Sequence, residues 1–170
     1  MRLGSLTSRE CYRPRRERDR KLRRMWRRDG FIISTDPAHL DRDVIWRYLH
    51  DESYWANGIP RDLFDRSLER SLNFGLFEGE PGHGGKQIGF SRVVTDGATF
   101  AWLCDVFVLP AYRGRGLATW MVATVVAHPD LQVQRGFVLA TRDAHGLYEK
   151  FGWQAVEAGR FMRITRPYRT

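Results

Sequence analysis

Val106-Phe107-Val108-Leu109-Pro110-Ala111-Tyr112-Arg113-Gly114-Arg115-Gly116-Leu117-Ala118 is the stretch on which the reading of this chain turns. Apolar residues close a strand, Pro110 forces a turn, and two glycines flank an arginine. A helical run from Arg115 to Ala127 follows, with Leu117, Met121 and Val125 four apart. A helix that starts in a loop presents unpaired backbone N–H groups and the positive end of its dipole. Gly114 and Gly116 leave those donors uncovered by side chains, so a bulky anion can approach them. The loop has the construction of a phosphate cradle. It is not a Walker loop, which would end in Gly-Lys-Ser/Thr, nor the dinucleotide fingerprint GxGxxG.

Upstream of this stretch the pattern is regular from Phe31. Phe31 to Ser34 reads as a strand, Asp41 to His50 as a helix, Ser53 to Pro60 as an aromatic loop and Arg61 to Ser71 as a second helix. Three strands are expected next, Asn73 to Glu78, Lys86 to Thr95 and Thr99 to Val108. They are separated by the Glu80–Gly85 turn and by Asp96-Gly97, a hairpin signal. Downstream come a strand over Gly136 to Thr141, a short helix over Asp143 to Phe151 stopped by Gly152, and a last alternating strand over Arg160 to Thr165. An antiparallel meander followed by a strand–helix–strand crossover implies an α/β (α+β) chain. Its single sheet should be mixed and mostly antiparallel, with helices on both faces.

The chain has 170 residues, enough for one domain with its own core. Its formal net charge of +8 is unevenly placed. Residues 1–30 hold 12 Lys and Arg against 4 Asp and Glu, and residues 31–170 hold 16 of each. The body is therefore neutral and gives no ground for nucleic acid as substrate. The leading segment is too polar to fold alone and reads as a flexible basic extension, with Met25 as an alternative start. Part of it, from about Glu17 to Trp26, has acid–base neighbours spaced for a helix. At most it is expected to make weak contact with an anionic surface. No apolar run approaches the ~20 residues of a membrane helix and no secretory signal is present, so the cytoplasm is expected. Cys11 and Cys104 form neither a metal nor a disulfide pattern, and no metal is expected.

A second informative segment is Ala140-Thr141-Arg142-Asp143-Ala144-His145-Gly146-Leu147-Tyr148-Glu149-Lys150-Phe151-Gly152-Trp153. Together the two stretches resemble the GNAT acetyltransferase family. Arg113-Gly114-Arg115-Gly116-Leu117-Ala118 is similar to its Arg/Gln-x-x-Gly-x-Gly/Ala signature. The second segment is similar to its later Leu-Tyr-x-Lys-x-Gly-Phe motif, with Trp153 where Phe is usual. The resemblance covers residues 31–165, including the order of elements. It implies the GNAT-like acyl-CoA N-acyltransferase fold, acetyl-CoA as co-substrate and direct transfer of the acetyl group to a primary amine. The acceptor is expected to be a small molecule and the protein a monomer or a homodimer. A module that binds CoA with this fold but without turnover is the competing reading.

The resemblance also implies roles. Backbone amides from Arg113 through Leu117 to Ala118 would bind pyrophosphate. Arg113 and Arg115 would add charge, although Arg115 fits a solvated side chain equally well. Main-chain groups of Val106, Phe107 and Val108 would pair with the pantetheine arm as if it were an added strand. That requires the strand carrying Asp105 to diverge from the one at Phe137 to Ala140. Tyr148 would protonate the departing thiolate, while by local pattern it also belongs to an apolar face with Leu147 and Phe151. Asp105, within an otherwise apolar strand, is a candidate base for the amine or else a structural carboxylate held by an arginine such as Arg142. Cys104 reads as a core residue. Tyr54, Trp55 and Arg61 fall where relatives build the acceptor wall and fit loop anchors equally well. His145 would help to position the acceptor or face solvent.

Overall fold

Asp29-Gly30 takes positive φ at both residues (50° and 79°), as a two-residue hairpin turn requires. The turn folds β1 (Met25–Arg28) onto β2 (Phe31–Ser34), with Arg28 opposite Phe31. The structure is a computed structural model and describes residues 24–168. The sheet thus begins ahead of residue 31, inside the stretch read as a flexible basic extension. Met25 and Trp26, the end of the expected helix, are strand residues, and the rest of that helix lies outside the described residues. Four residues rich in arginine carry too little alternation to announce a strand. What fixes it is Trp26, which packs near Phe74 and His128.

After β2 come α1 (Arg42–Arg47), extended by a wider turn through Tyr48–Glu52, and α2 (Arg61–Glu69). The side chain of Asp41 caps α1 by accepting from the amides of Asp43 and Val44. Then follow β3 (Leu72–Glu78), β4 (Lys86–Thr95), β5 (Phe100–Val108), α3 (Leu117–Val126), β6 (Gly136–Leu139) and α4 (His145–Tyr148), which tightens into a 3-10 turn over Glu149–Phe151. The six strands lie in chain order, β1-β2-β3-β4-β5-β6. All neighbours are antiparallel except β5 and β6, which α3 joins as a parallel crossover.

Helices cover both faces. On one, α3 contributes Leu117, Met121 and Val125 to a core with Phe74, Leu76, Val93 and Leu103, and α4 adds Tyr148. On the other, α1 and α2 place Ile45, Leu49, Phe64 and Leu68 against Phe90 and Phe107. Burying a side chain such as Phe64 or Phe74 completely stabilises the fold by roughly 1.5–3 kcal/mol.

Two irregularities in the ladder shape the functional face. Between the Leu76–Gly89 and Phe77–Gln87 pairs, β4 carries one extra residue, Ile88, which faces the α3 core while Phe90 faces α1 and α2. Between the Phe90–Phe107 and Arg92–Cys104 pairs, β5 carries the extra residue, and there Asp105 has a φ of 55°. Beyond this point β5 and β6 part. Their pairing ends at Leu103 opposite Leu139, while β5 runs on to Val108.

The expected last strand over 160–165 does not form. The Phe137 carbonyl, at the middle of β6, accepts the indole N–H of Trp153 at 2.9 Å, so a side chain occupies the edge where a seventh strand would bond. The tail instead turns at Glu157–Arg160 and leaves Phe161, Met162 and Ile164 exposed. Alternation in sequence needs an open ladder to become a strand, and here the ladder is interrupted.

Candidate active site

The glycine loop takes the form its residues require. Gly114 and Gly116 have φ of 75° and 70°, a region that costs other residues about 1–2 kcal/mol. Gly116 caps α3, and no side chain satisfies the first amides of that helix. A Cβ on Gly114 would meet nothing within 4 Å, and one on Gly116 only the guanidinium of Arg28 at 3.8 Å. Donors at the helix start, open space in front of them and no carboxylate capping them suit a phosphorylated ligand.

The arginines of the loop are less free than their sequence suggested. Arg113 donates from Nε to the Val108 carbonyl (3.0 Å) and from Nη2 to the Tyr48 hydroxyl (3.1 Å). Tyr48 itself stacks on Phe107 with centroids 3.9 Å apart. Arg113 is therefore a brace between the end of β5 and α1, and it engages one of the carbonyls expected to face pantetheine. Arg115 lies over the Phe31 ring at 4.7 Å.

Where β5 leaves β6, the stretch Cys104–Val108 has no strand on its β6 side. Asp105 sits at the mouth of this gap. Simple alternation would send its side chain to the face of Ala101 and Leu103, under α3; the positive φ turns it to the other face. There Oδ1 accepts from the Trp55 indole N–H at 3.0 Å and Oδ2 accepts from Arg92 Nε. Arg92 also donates to Ser71 Oγ at 3.1 Å. The carboxylate is buried, and its partner is Arg92, not Arg142. Tyr168, in the tail, feels both charges: burial and Asp105 push its phenol up, and Arg92 draws it down.

Trp55 links this carboxylate to an aromatic wall. Its ring meets Tyr54 edge-on with centroids 4.9 Å apart, and both residues stay partly exposed. The Tyr54 hydroxyl accepts from the Arg142 amide (3.1 Å), and the Arg142 guanidinium lies 3.8 Å over the Tyr54 ring. Tyr148 is buried nearby. Burial, with Tyr54 and Asp143 adding to it, pushes its phenol up to about 12. His145 is exposed one turn before it and joins Tyr148 in lining a cavity of about 680 Å³ along the outer edge of β6, with Phe137, Leu139, Trp153 and Phe161. That cavity is separate from the glycine loop, none of whose residues line it.

The structure thus gathers Asp105, Trp55 and Tyr54 at the parting of β5 and β6, and Tyr148 close to Tyr54. It does not gather Arg61, which bonds Asp43 and Asp65 and lies over Trp46 and Phe64, holding α1 to α2. Burial pushes the Cys104 thiol up to about 12, with Asp105 adding to it, so it is no ready nucleophile. Among the described residues no three of His, Cys, Asp and Glu gather as a metal would need. Cys11 and the basic run through residue 23 lie outside the described residues.

Sequence reasoning missed Arg92, Ser71, Tyr48 and Arg28, and gave Arg142 to Asp105 where the structure sets it against Tyr54. Turn counting would have misplaced Arg92: a two-residue Asp96-Gly97 turn sets it opposite Ala101, whereas the wider loop over 96–100 sets it opposite Cys104, beside Asp105. For the others the contacts join elements far apart in the chain, and spacing says nothing about them.

Comparison with known proteins bears on the family and the fold. The profile of the acetyltransferase (GNAT) domain matches residues 74–155, from β3 to just past α4. A protein of Gibberella zeae named as an acetyltransferase is 36% identical over 57% of this chain, and the match spans 63% of that relative's length. A crystal structure from Xanthomonas campestris, of a protein assigned to the GNAT acetyltransferases, is 44% identical, covers 82% of this chain and 95% of its own, and superposes with a TM-score of 0.75. A Clostridium acetobutylicum acetyltransferase solved with acetyl-CoA shares the fold at 17% identity, with a TM-score of 0.55 over 73% of this chain and 86% of its own. No helix among the described residues is long and apolar enough to cross a membrane. On the similarity to the Xanthomonas protein, along nearly all of that protein's length, the chain belongs to the GNAT family of acetyltransferases.

Proposed function

We propose that the chain is a cytoplasmic N-acetyltransferase that moves the acetyl group of acetyl-CoA to a primary amine of a small-molecule acceptor by direct attack. The observation that carries this reading is the parting of β5 from β6 beyond Leu103 and Leu139, directly before a loop whose two left-handed glycines leave the start of α3 open. In this reading the amides from Arg113 to Ala118 hold the pyrophosphate, and the free side of Val106 to Val108 takes the pantetheine arm. Acetyl-CoA supplies an activated acyl group. The acceptor nitrogen bonds to the acyl carbon, the carbon–sulfur bond breaks, and the proton shed by nitrogen is matched by one taken up at sulfur or from solvent.

Asp105 has two oxygens fixed by Trp55 and Arg92, but a carboxylate offers about four lone-pair sites. It can therefore accept a hydrogen bond from the incoming amine and take its proton directly or through water. Tyr54 and Trp55 enclose the acceptor. Tyr148 serves as a donor to sulfur. With its phenol near 12, full proton transfer to a thiolate of ordinary basicity is uphill by roughly three pKa units, about 4 kcal/mol. Its contribution is accordingly a hydrogen bond that strengthens as charge develops on sulfur, and the phenol remains a donor throughout the neutral range.

The test is calorimetric titration of acetyl-CoA into the wild type and Gly116→Trp. Binding in the micromolar range (on the order of 1–100 μM) by the wild type, lost in the variant, supports the cradle. A panel of primary amines, read by mass spectrometry for a gain of one acetyl group, then identifies the acceptor. A well-folded wild type that binds no acetyl-CoA overturns the reading.

A further inference from the structure

Arg28, the last residue of β1, reaches across from the first hairpin to the glycine loop. Its Nη2 donates to the Arg115 carbonyl at 3.3 Å, and its guanidinium carbon lies 5.0 Å over the Trp120 ring of α3. The same nitrogen is the nearest atom to the place a Cβ would take on Gly116. Its Nε is buried without a hydrogen bond, 3.7 Å from the Asp29 carboxylate. The strand that delivers it is held firmly. All four residues of β1 pair with β2, the Arg24 amide donates to Thr35 Oγ1 at 2.8 Å, and Arg27 pairs with Glu80 at 2.9 Å.

We propose that Arg28 is a positioning residue for the phosphate loop, an inference that rests on the reading of that loop as the acetyl-CoA site. The physical reason lies in the peptide plane between Arg115 and Gly116. In a planar trans peptide the carbonyl and the following N–H point in opposite directions. A guanidinium that fixes the Arg115 carbonyl on the β1 side therefore aims the Gly116 N–H away from β1, toward the open side of the loop. It also occupies a carbonyl oxygen that would otherwise be free to turn and repel a phosphate. Trp120 holds the guanidinium from below by a cation–π contact. Arg113 is engaged at Val108 and Tyr48, and Arg115 lies on Phe31, so neither supplies this brace.

Two ligands separate a loop-aiming role from a general structural one: acetyl-CoA, followed by calorimetry, and S-acetylpantetheine, which lacks the pyrophosphate, followed by NMR shift titration. Arg28→Met is expected to weaken acetyl-CoA about 10-fold, the scale of one charge-assisted hydrogen bond, and to leave S-acetylpantetheine unchanged. Arg28→Lys, which keeps the cation and can still donate to the carbonyl, is expected to recover to within about 3-fold of wild type. Equal acetyl-CoA affinity in Arg28→Met and wild type overturns the proposal and leaves the cofactor reading standing. Equal weakening of both ligands, or a variant that fails to fold alongside an Arg28→Lys that folds and binds no better than 10-fold below wild type, also overturns it. A wild type that binds neither ligand defeats the cofactor reading itself, and the proposal with it.

Discussion

Replacing Arg92 with methionine should cost far more than the loss of a surface charge. In the wild type the Asp105 side chain is 7% exposed and that of Arg92 17%, so both charges have left most of their water. Arg92→Met keeps much of the volume and deletes the cation, leaving a buried carboxylate with the Trp55 indole as its remaining donor. Breaking a buried pair from one side costs about 3–5 kcal/mol. In a domain of this size each kcal/mol lowers Tm by roughly 2–4 °C, so a fall of about 6–20 °C is expected. Asp105→Asn leaves the opposite orphan, but Ser71 and partial solvent contact soften it, and about 2–3 kcal/mol is expected. The double variant removes both charges and should recover part of the loss, giving a coupling of about 2 kcal/mol in a double-mutant cycle. Urea unfolding followed by tryptophan fluorescence measures all four proteins. If Arg92→Met costs under about 1 kcal/mol, or the two changes add within about 0.5 kcal/mol, the pair is solvated and the account of it is wrong.

Tyr148→Phe should lower kcat about 10²-fold once an acceptor is in hand, and leave the shape of the pH–rate profile unchanged between pH 6 and about 10, because a phenol pushed up to about 12 does not titrate there; an alkaline limb that vanishes in the variant would contradict this. Burial raises the Cys104 thiol from 9.0 to about 12, so above pH 9 the unfolded chain releases a proton that the folded chain keeps. Stability should then fall by about 1.4 kcal/mol per pH unit between pH 9 and about 12, and urea unfolding of Cys104→Ala should show a shallower decline. Burial lowers the pKa of His128, which sits between Trp26 and Phe74; protonation favours the unfolded chain, stability declines as pH falls below about 6.5, and His128→Phe should flatten that decline. Gly89→Ala should destabilise by more than about 2 kcal/mol in thermal unfolding, since its Cβ would stand 2.7 Å from the Phe107 carbonyl oxygen.

The fold was legible where pattern and punctuation agreed. Lys86 to Thr95 forms the strand expected between its two flanking turns, and the Asp96 carboxylate secures the next turn by accepting from the amides of Ala98, Thr99 and Phe100. The crossover through α3 followed from one apolar strand, one helix and a second strand in sequence. At the two ends the reading failed for one reason seen from opposite sides. β1 exists because β2 offers it an edge and Trp26 packs near Phe74 and His128, although two of its four residues are arginines. Residues 160–165 alternate well and form no strand, because the indole of Trp153 occupies the β6 edge. Strand formation depends on a partner that the local sequence does not describe.

The same dependence governs the site. Gly114 and Gly116 announced themselves, since a loop that needs two left-handed residues before a helix leaves few residue types to choose from. Asp105 was visible as a charge in an apolar strand, but its direction was not. Alternation places it under α3, and only the extra residue in β5, opposite Ser91, turns it to face Trp55 and Arg92. Holding an aspartate at positive φ carries a cost of about 1–3 kcal/mol, which the fold offsets by engaging both carboxylate oxygens. The bulge that breaks the strand pattern also lies just beyond the last β5–β6 pair, so one insertion coincides with the parting of the two strands and turns the acid toward Trp55 and Arg92. A residue that follows its local rule is easily read from sequence; Asp105 has been moved off that rule by the bulge. The break in the rule at Asp105 is therefore the point at which local pattern stops describing this part of the fold.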